Sequence, residues 1–283
     1  MKILVFLTTC FLHIAATADD SFSVTPLTSS LYMLEGTGGN ITALTGADGV
    51  FLVDDDFAEM ADKLLAKLNG KSPRYIVNTH FHYDHTGGNE IFGFTATIIS
   101  ASQVRDRLMK EQTLWRKQHP PVPLQALPTL TFDHSLTLNL NGEKIRILHL
   151  PHGHTDGDTV VLFTKNNVAS LGDLYFSGMY PIFHPEHDGS LYGYIKNIEM
   201  ILKLIPDDCK IVSGHGPLTT KAEFKKYHQM ILASVATVKK GIQAGRTLEQ
   251  IQQAGLARKW EPFSHGYVTT EKWIAMLYNQ VKK

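Results

Sequence analysis

Apolar residues fall in short strand-like runs through the first half of the chain and at helical spacing through its tail. Leu31-Tyr32-Met33-Leu34, Ile41-Thr42-Ala43-Leu44 and Val50-Phe51-Leu52-Val53 are separated by Gly-rich turns at 36–39 and 46–49, a pattern that predicts neighbouring strands. Phe57, Met60, Ala61, Leu64, Leu65 and Leu68 then recur at helical spacing up to Asn69-Gly70, so a helix ends there. Arg74-Tyr75-Ile76-Val77 reads as a buried strand feeding the segment 79–89. A strand at 96–99, a helix at 101–111 and a proline-rich loop at 119–123 follow. Strands are expected at 135–140 and 144–150, and a hairpin over 159–164 and 167–171. Helices are expected at 191–204, 221–242, 247–254 and 271–282. Runs of strands with helices after each run predict an α+β fold, a helix–sheet–sheet–helix sandwich that buries one face of every element. Short connections predict one domain over 19–283.

Composition narrows the class. A hydrophobic share of 43% excludes bulk disorder, and 27 basic residues against 27 acidic ones leave no surplus for neutralising phosphates. Nucleic acid is therefore not an expected partner, and a small-molecule substrate is. Met1-Lys2, an apolar run at 3–14 and Ala15-Ala16-Thr17-Ala18 match a secretory signal cleaved after Ala18. The expectation is export, to the periplasm or beyond. The run is shorter than the ~20 residues that span a bilayer, so no stable membrane insertion is expected once it is removed. Cleavage leaves Cys209 as the one cysteine, without a disulfide partner and read as a packing residue at the start of a strand.

The chemistry concentrates in histidine, of which the chain has 14. In Thr79-His80-Phe81-His82-Tyr83-Asp84-His85-Thr86-Gly87-Gly88-Asn89, four metal-ligand types lie within six positions. Alternation puts His80 and His82 on one side of an extended stretch, and Gly87-Gly88 offers freedom for a turn that brings Asp84 and His85 back. Two ligand pairs at different angles suit two metals. Three further polar residues follow predicted strands beside glycines: His154 in Gly153-His154-Thr155, Asp173 in Gly172-Asp173, and His215 in Gly214-His215-Gly216. Strand ends meeting at one rim commonly build a site. Thr86 and Thr155 are candidate partners of the ligands, with local turn capping as the alternative. His119, His134 and His228 read as loop or surface residues. His149 and His152 flank the third ligand segment, and neither is expected to ligate. His184, His187 and His265 could rim a cleft, and Tyr180 and Phe183 could wall it or equally pack in the core. The turn at 36–40 could cover the metals or merely join two strands.

His80-x-His82-x-Asp84-His85, followed in order by His154, Asp173 and His215, resembles the metallo-β-lactamase fold superfamily of metal-dependent hydrolases. That resemblance implies a four-layer αββα sandwich. It implies that His80, His82 and His154 hold one metal, that Asp84, His85 and His215 hold a second, and that Asp173 bridges them. Two Zn²⁺ ions per chain are expected, although nitrogen and oxygen ligands also suit iron or manganese. The implied chemistry is a shared hydroxide attacking the carbonyl of a lactam, lactone, ester or thioester, with Asp84 orienting it or carrying its proton. The family's exported β-lactamases usually carry Cys or Ser where this chain has Asp173, and one large group has a Lys where this chain has Phe176. At most weak β-lactamase activity is expected. The bridging Asp resembles glyoxalase-II-type thioesterases and lactonases. The alternatives are such a thioesterase, an iron-dependent sulfur dioxygenase on the same fold, and a non-catalytic metal-binding protein.

Overall fold

The computed structural model describes residues 22–114 and 116–282. The expected signal at 1–18, its cleavage site and Cys10 lie outside them.

Among the described residues the first sheet begins with β1 (Ser23–Pro26), β2 (Leu31–Glu35), β3 (Ile41–Leu44), β4 (Val50–Val53), β5 (Pro73–Val77) and β6 (Thr97–Ala101), paired in that order. A separate small hairpin, β7 (Gln112–Leu114) with β8 (Lys117–His119), precedes β9 (Leu130–Phe132), which closes the first sheet beside β6. The second sheet runs β10 (Ser135–Leu140), β11 (Glu143–His149), β12 (Thr159–Phe163), β13 (Val168–Ser170), β14 (Lys210–Val212) and β15 (Thr219–Thr220). Helices α1 (Ala61–Lys67), α2 (Tyr83–Thr86), α3 (Asn89–Phe92) and α4 (Ser102–Leu108) follow strands of the first sheet. Helices α5 (Leu191–Leu204), α6 (Lys221–Gln243), α7 (Leu248–Ala254) and α8 (Thr270–Val281) form the tail.

Side-chain alternation sorts these elements into layers. Phe51 and Val53 of β4 point between the sheets, where they meet Ile145, Ile147, Val161 and Phe163. Val50 and Leu52 point the other way, onto Met60, Ala61 and Leu64. Val160 and Leu162 of β12 likewise face outward, against Ile198, Ile201 and Phe224 of the tail helices. Every residue of β4 and of β12 is buried because both faces of each strand are covered. The rings of Phe51 and Phe163 meet edge to face across the sheets at 5.9 Å, and burying each ring contributes about 1.5–3 kcal/mol. The αββα sandwich expected from the pattern is the observed one.

Local differences have local causes. The helix expected at 101–111 ends at Leu108, the last residue of its buried face, and the chain then turns into β7 and β8. Strand β9 is three residues long with only Phe132 buried, too short to show a period. The helix expected from Phe57 begins instead as a 3-10 turn at Ala58–Met60.

The parallel pairs β4–β5 and β13–β14 position the site. Their carboxyl ends open on one edge of the sandwich. There the Thr159 N–H donates to the Thr79 carbonyl (2.7 Å) and the Asn40 N–H to the Gly214 carbonyl (2.7 Å), tying the two sheets together.

Candidate metal centre

The segments leaving β5, β13 and β14, with the loop entering β12, bring all seven predicted residues together. His80, His82, His154 and Asp173 each place one donor atom in a group whose members lie within 4.8 Å of one another. Asp84, His85 and His215 form a second such group. Asp173 joins the two. Its Oδ2 lies 3.2 Å from His154 Nε2 and 3.7 Å from His80 Nε2, while its Oδ1 lies 3.3 Å from His85 Nε2 and 3.5 Å from His215 Nε2. Within the first group His82 Nδ1 and His154 Nε2 are 3.0 Å apart. Within the second, His215 Nε2 is 3.2 Å from Asp84 Oδ2 and 3.3 Å from His85 Nε2.

The hydrogen bonds behind the rings fix which nitrogen faces inward. Thr79 donates its hydroxyl to Asp54 Oδ2 (2.8 Å), so its oxygen is left to accept from His80 Nδ1–H (3.1 Å). His85 donates Nδ1–H to the same Asp54 oxygen (2.8 Å). His154 donates Nδ1–H to the Ile182 carbonyl (2.9 Å). All three rings therefore turn Nε2 toward the centre. Imidazoles that ligate metals are characteristically held this way by a carboxylate or carbonyl behind them.

His80 Nε2 and Asp173 Oδ1 are buried and make no hydrogen bond. An unpartnered buried polar atom costs roughly 1–3 kcal/mol, and several acceptors turned on one another call for a cation. Two buried clusters sharing a carboxylate fit a binuclear metal site. The electrostatics agree. Burial, reinforced by neighbouring imidazoles, holds His80 and His82 well below the usual histidine range, and burial pushes His154 down to about 4 against the pull of Asp173. Neutral imidazole is the ligating form. At His85 burial also opposes a proton, but the carboxylates of Asp84, Asp173 and Asp54 outweigh it and hold the ring well above its usual range. Burial works to raise Asp84 and Asp173, yet the surrounding histidines keep both low.

Three supports escaped the sequence reading. Asp54, Asp55 and Asp56 follow the fully buried β4, with Asp54 and Asp56 in the left-handed region at φ 60°. This is a strained conformation that Asp tolerates better than most residues. Three acidic residues after an all-apolar strand were the available signal. Asp158 accepts from the backbone N–H of His154 (2.6 Å) and from the Thr155 hydroxyl (2.7 Å), shaping the His154 loop. Asn40 donates to the carbonyls of Ser213 (2.9 Å) and Gly216 (2.8 Å), bracing His215.

Several expectations change. Gly87 and Gly88 are not in the left-handed region; they are needed because a Cβ would meet Ala58 N at 2.8 Å and the Asp55 carbonyl at 2.6 Å. The 36–40 turn is no free flap. Gly39 donates to the Asp84 carbonyl (2.8 Å), and a Cβ on it would strike the His85 ring at 2.1 Å. Thr86 only bonds back to the His82 carbonyl, whereas Thr155 holds Asp158. For Tyr180 and Phe183 core packing, on Trp273, is the alternative that holds. His149 and His152 lie outside both groups, as expected. Cys209 is buried, and burial pushes its thiol up to about 11, consistent with packing.

Over the two clusters lies a cleft of about 390 Å³. Phe57, Phe176, Ile182, Tyr267 and Thr37 wall it, with Asp84, Asp173, His154, His184 and His215 at its polar end. Phe176 stacks on the His215 ring at 5.5 Å. Among the described residues no Lys or Arg lines it.

A four-layer sandwich with a buried His/Asp double cluster at one edge is the architecture of a metal-dependent hydrolase scaffold. The profile of the metallo-beta-lactamase superfamily matches residues 34–215, more than half of the chain, and the chain belongs to that superfamily. It is 30% identical over 160 residues to a hydroxyacylglutathione hydrolase of Pelagibacter ubique, covering 53% of this chain and 55% of that protein. It is 23% identical over 181 residues to a type 2 metallo-beta-lactamase of Elizabethkingia meningoseptica, covering 62% and 68%. The fold matches the inverting sec-alkylsulfatase Pisa1 from Pseudomonas sp. with a TM-score of 0.69 at 13% identity, over 91% of this chain and 50% of that one. The chain thus spans about half the length of some of the proteins it resembles. Among the described residues no helix is long and apolar enough to cross a membrane.

Proposed function

We propose that the protein is an exported, zinc-dependent hydrolase of uncharged, largely apolar esters, lactones or thioesters. The observation that carries this reading is Asp173, whose two carboxylate oxygens face separate histidine clusters beneath an apolar cleft without a cationic side chain. In it, His80, His82 and His154 would hold one cation and Asp84, His85 and His215 the other, with Asp173 facing both groups. Such a cation pair supplies a water of lowered pKa and polarises a carbonyl oxygen.

The chain's own residues do the rest. Phe57, Phe176, Ile182 and Tyr267 bind the apolar part of the substrate and exclude water from around the ester. Asp54 holds His85 directly and His80 through Thr79, fixing both rings. Asp84 Oδ2 is occupied by His215, while Oδ1 makes no hydrogen bond. Oδ1 is thus the atom that accepts the proton of the attacking water and returns it to the leaving group.

The name of the Pelagibacter relative favours a second reading, hydrolysis of a hydroxyacylglutathione thioester. The cleft speaks against it, since glutathione carries carboxylates and nothing cationic lines the walls.

The test is a turnover panel on the purified chain with its metals quantified. Neutral aryl and alkyl esters and lactones are expected to be hydrolysed, β-lactams weakly, with two zincs per chain. Asp84→Asn should lower kcat by about 100-fold. A preference for hydroxyacylglutathione, or a single iron with oxygen uptake, would overturn the reading in favour of the thioesterase or the dioxygenase.

A further inference from the structure

The turn after Phe183 carries a His-Pro-Glu-His sequence that the double cluster does not use. Pro185–His187 form one 3-10 turn, a geometry in which side chains three apart eclipse. His184 and His187 are that far apart, and their ring centroids lie 5.6 Å from one another. Glu186 reaches back, its Oε1 2.9 Å from His184 Nδ1. One nitrogen of each histidine and one Glu186 oxygen all lie within 4.8 Å of one another.

A second, independent feature points to a ligand. His187 is only 6% exposed, and its Nδ1 has no hydrogen-bond partner. The turn is also rigidly presented. His184 N–H donates to the His154 carbonyl (2.9 Å), Asp156 N–H to the His187 carbonyl (3.0 Å), and Gly189 N–H to the His184 carbonyl (2.9 Å).

We propose that His184, Glu186 and His187 form a third site, for a divalent transition-metal cation, on the wall of the cleft. Two imidazoles and a carboxylate are a donor set that binds Zn²⁺ with a position left open, and such ligands hold Cu²⁺ more tightly still. The cation replaces the proton between His184 Nδ1 and Glu186. Arg107 is the nearby positive charge, and it is already engaged by Asp156 at 2.7 Å and Asp188 at 3.2 Å. Burial, then Arg107 and His184, lower the pKa of His187, leaving its ring neutral and able to ligate. Glu186 is 59% exposed on its side chain, so the site is open to solvent and exchanges its ion faster than the two buried clusters. His184 packs on the rings of His82 at 5.0 Å and His154 at 5.2 Å, so an ion held there sits beside the first cluster.

The test counts metal and does not depend on turnover. The chelator-stripped full chain is dialysed against excess Zn²⁺ and the bound ions are quantified, with Glu186→Gln and His187→Gln alongside. The unaltered chain should hold one ion more than either variant, and Cu²⁺ added to the zinc-loaded chain should show nitrogen couplings in its paramagnetic resonance that His187→Gln loses. Glu186 is exposed enough that Glu186→Gln should fold even if His187→Gln does not. Equal ion counts in the unaltered chain and Glu186→Gln would overturn the proposal. Because the readout is a difference of one ion, it stands apart from whether the double cluster hydrolyses esters.

Discussion

The two halves of the metal centre are built differently. The first gathers three imidazoles, His80, His82 and His154, whose protons burial has driven off, around one oxygen of Asp173. The second sets His85 and His215 among carboxylates, Asp84 and the other Asp173 oxygen in front and Asp54 behind His85. One half is ready for a cation because it holds no proton. In the other, His85 carries a proton in a cation's place, and metal binding must displace it. The lesson is that a carboxylate behind a ring raises its affinity for whichever positive charge arrives.

Removing the shared residue should break the comparison most completely. Asp173→Ala is expected to lower turnover by roughly 1000-fold, equivalent to about 4 kcal/mol, and to leave fewer than two metals per chain on elemental analysis. Asp54→Asn should separate the halves less drastically. It keeps the shape but takes the carboxylate from behind His85, so affinity at the second half should fall by about 10–100-fold in chelator competition, with the first half less affected.

Acid sharpens the contrast in the metal-stripped chain. His154 has a folded pKa of about 4, below its unfolded value of about 6.5. Its contribution to stability is therefore complete above pH 6.5 and is lost as pH falls toward 4, because the unfolded chain takes up the proton first. His80 and His82 share this sign, whereas His85, raised, contributes stability at low pH that is lost as pH rises through its folded value. The buried carboxylates of Asp54, Asp55, Asp56 and Asp158, raised by burial, have the opposite sign over the same window, so the effect of one ring is read against a variant. Calorimetry on the chelated chain should show Tm falling less between pH 7 and pH 4.5 in His154→Gln than in the unaltered chain. The smallest effect is expected at the cleft mouth, where Tyr267 is 63% exposed. Tyr267→Arg should raise kcat/KM for anionic substrates by about 10-fold and leave neutral esters nearly unchanged.

Much of this was legible in the sequence, for identifiable reasons. Strands β2, β3 and β4 are runs of apolar residues between glycine turns, and α5 spans the expected 191–204 because Ser190 caps it and one apolar face runs through it. The seven converging residues were legible because most sit within six positions or beside a glycine after a strand. What stayed hidden depends on contacts between distant segments. Asp54 supports His85 across 31 positions, and Asn40 braces the His215 loop across more than 170. A three-residue strand such as β9 has no period to read. The loop after Asp173 left Tyr180 and Phe183 open between cleft wall and core; Trp273, from the last helix, draws them into the core.

The most direct test of the shared carboxylate is X-ray absorption on the zinc-loaded Glu186→Gln chain, in which the double cluster is the site left to fill, with the metals counted on the same sample. Two zincs in purely nitrogen and oxygen surroundings, with metal–metal scattering at roughly 3.5–4 Å that disappears in Asp173→Ala, is the predicted result. A single ion per chain, or two with no metal–metal scattering, would contradict it.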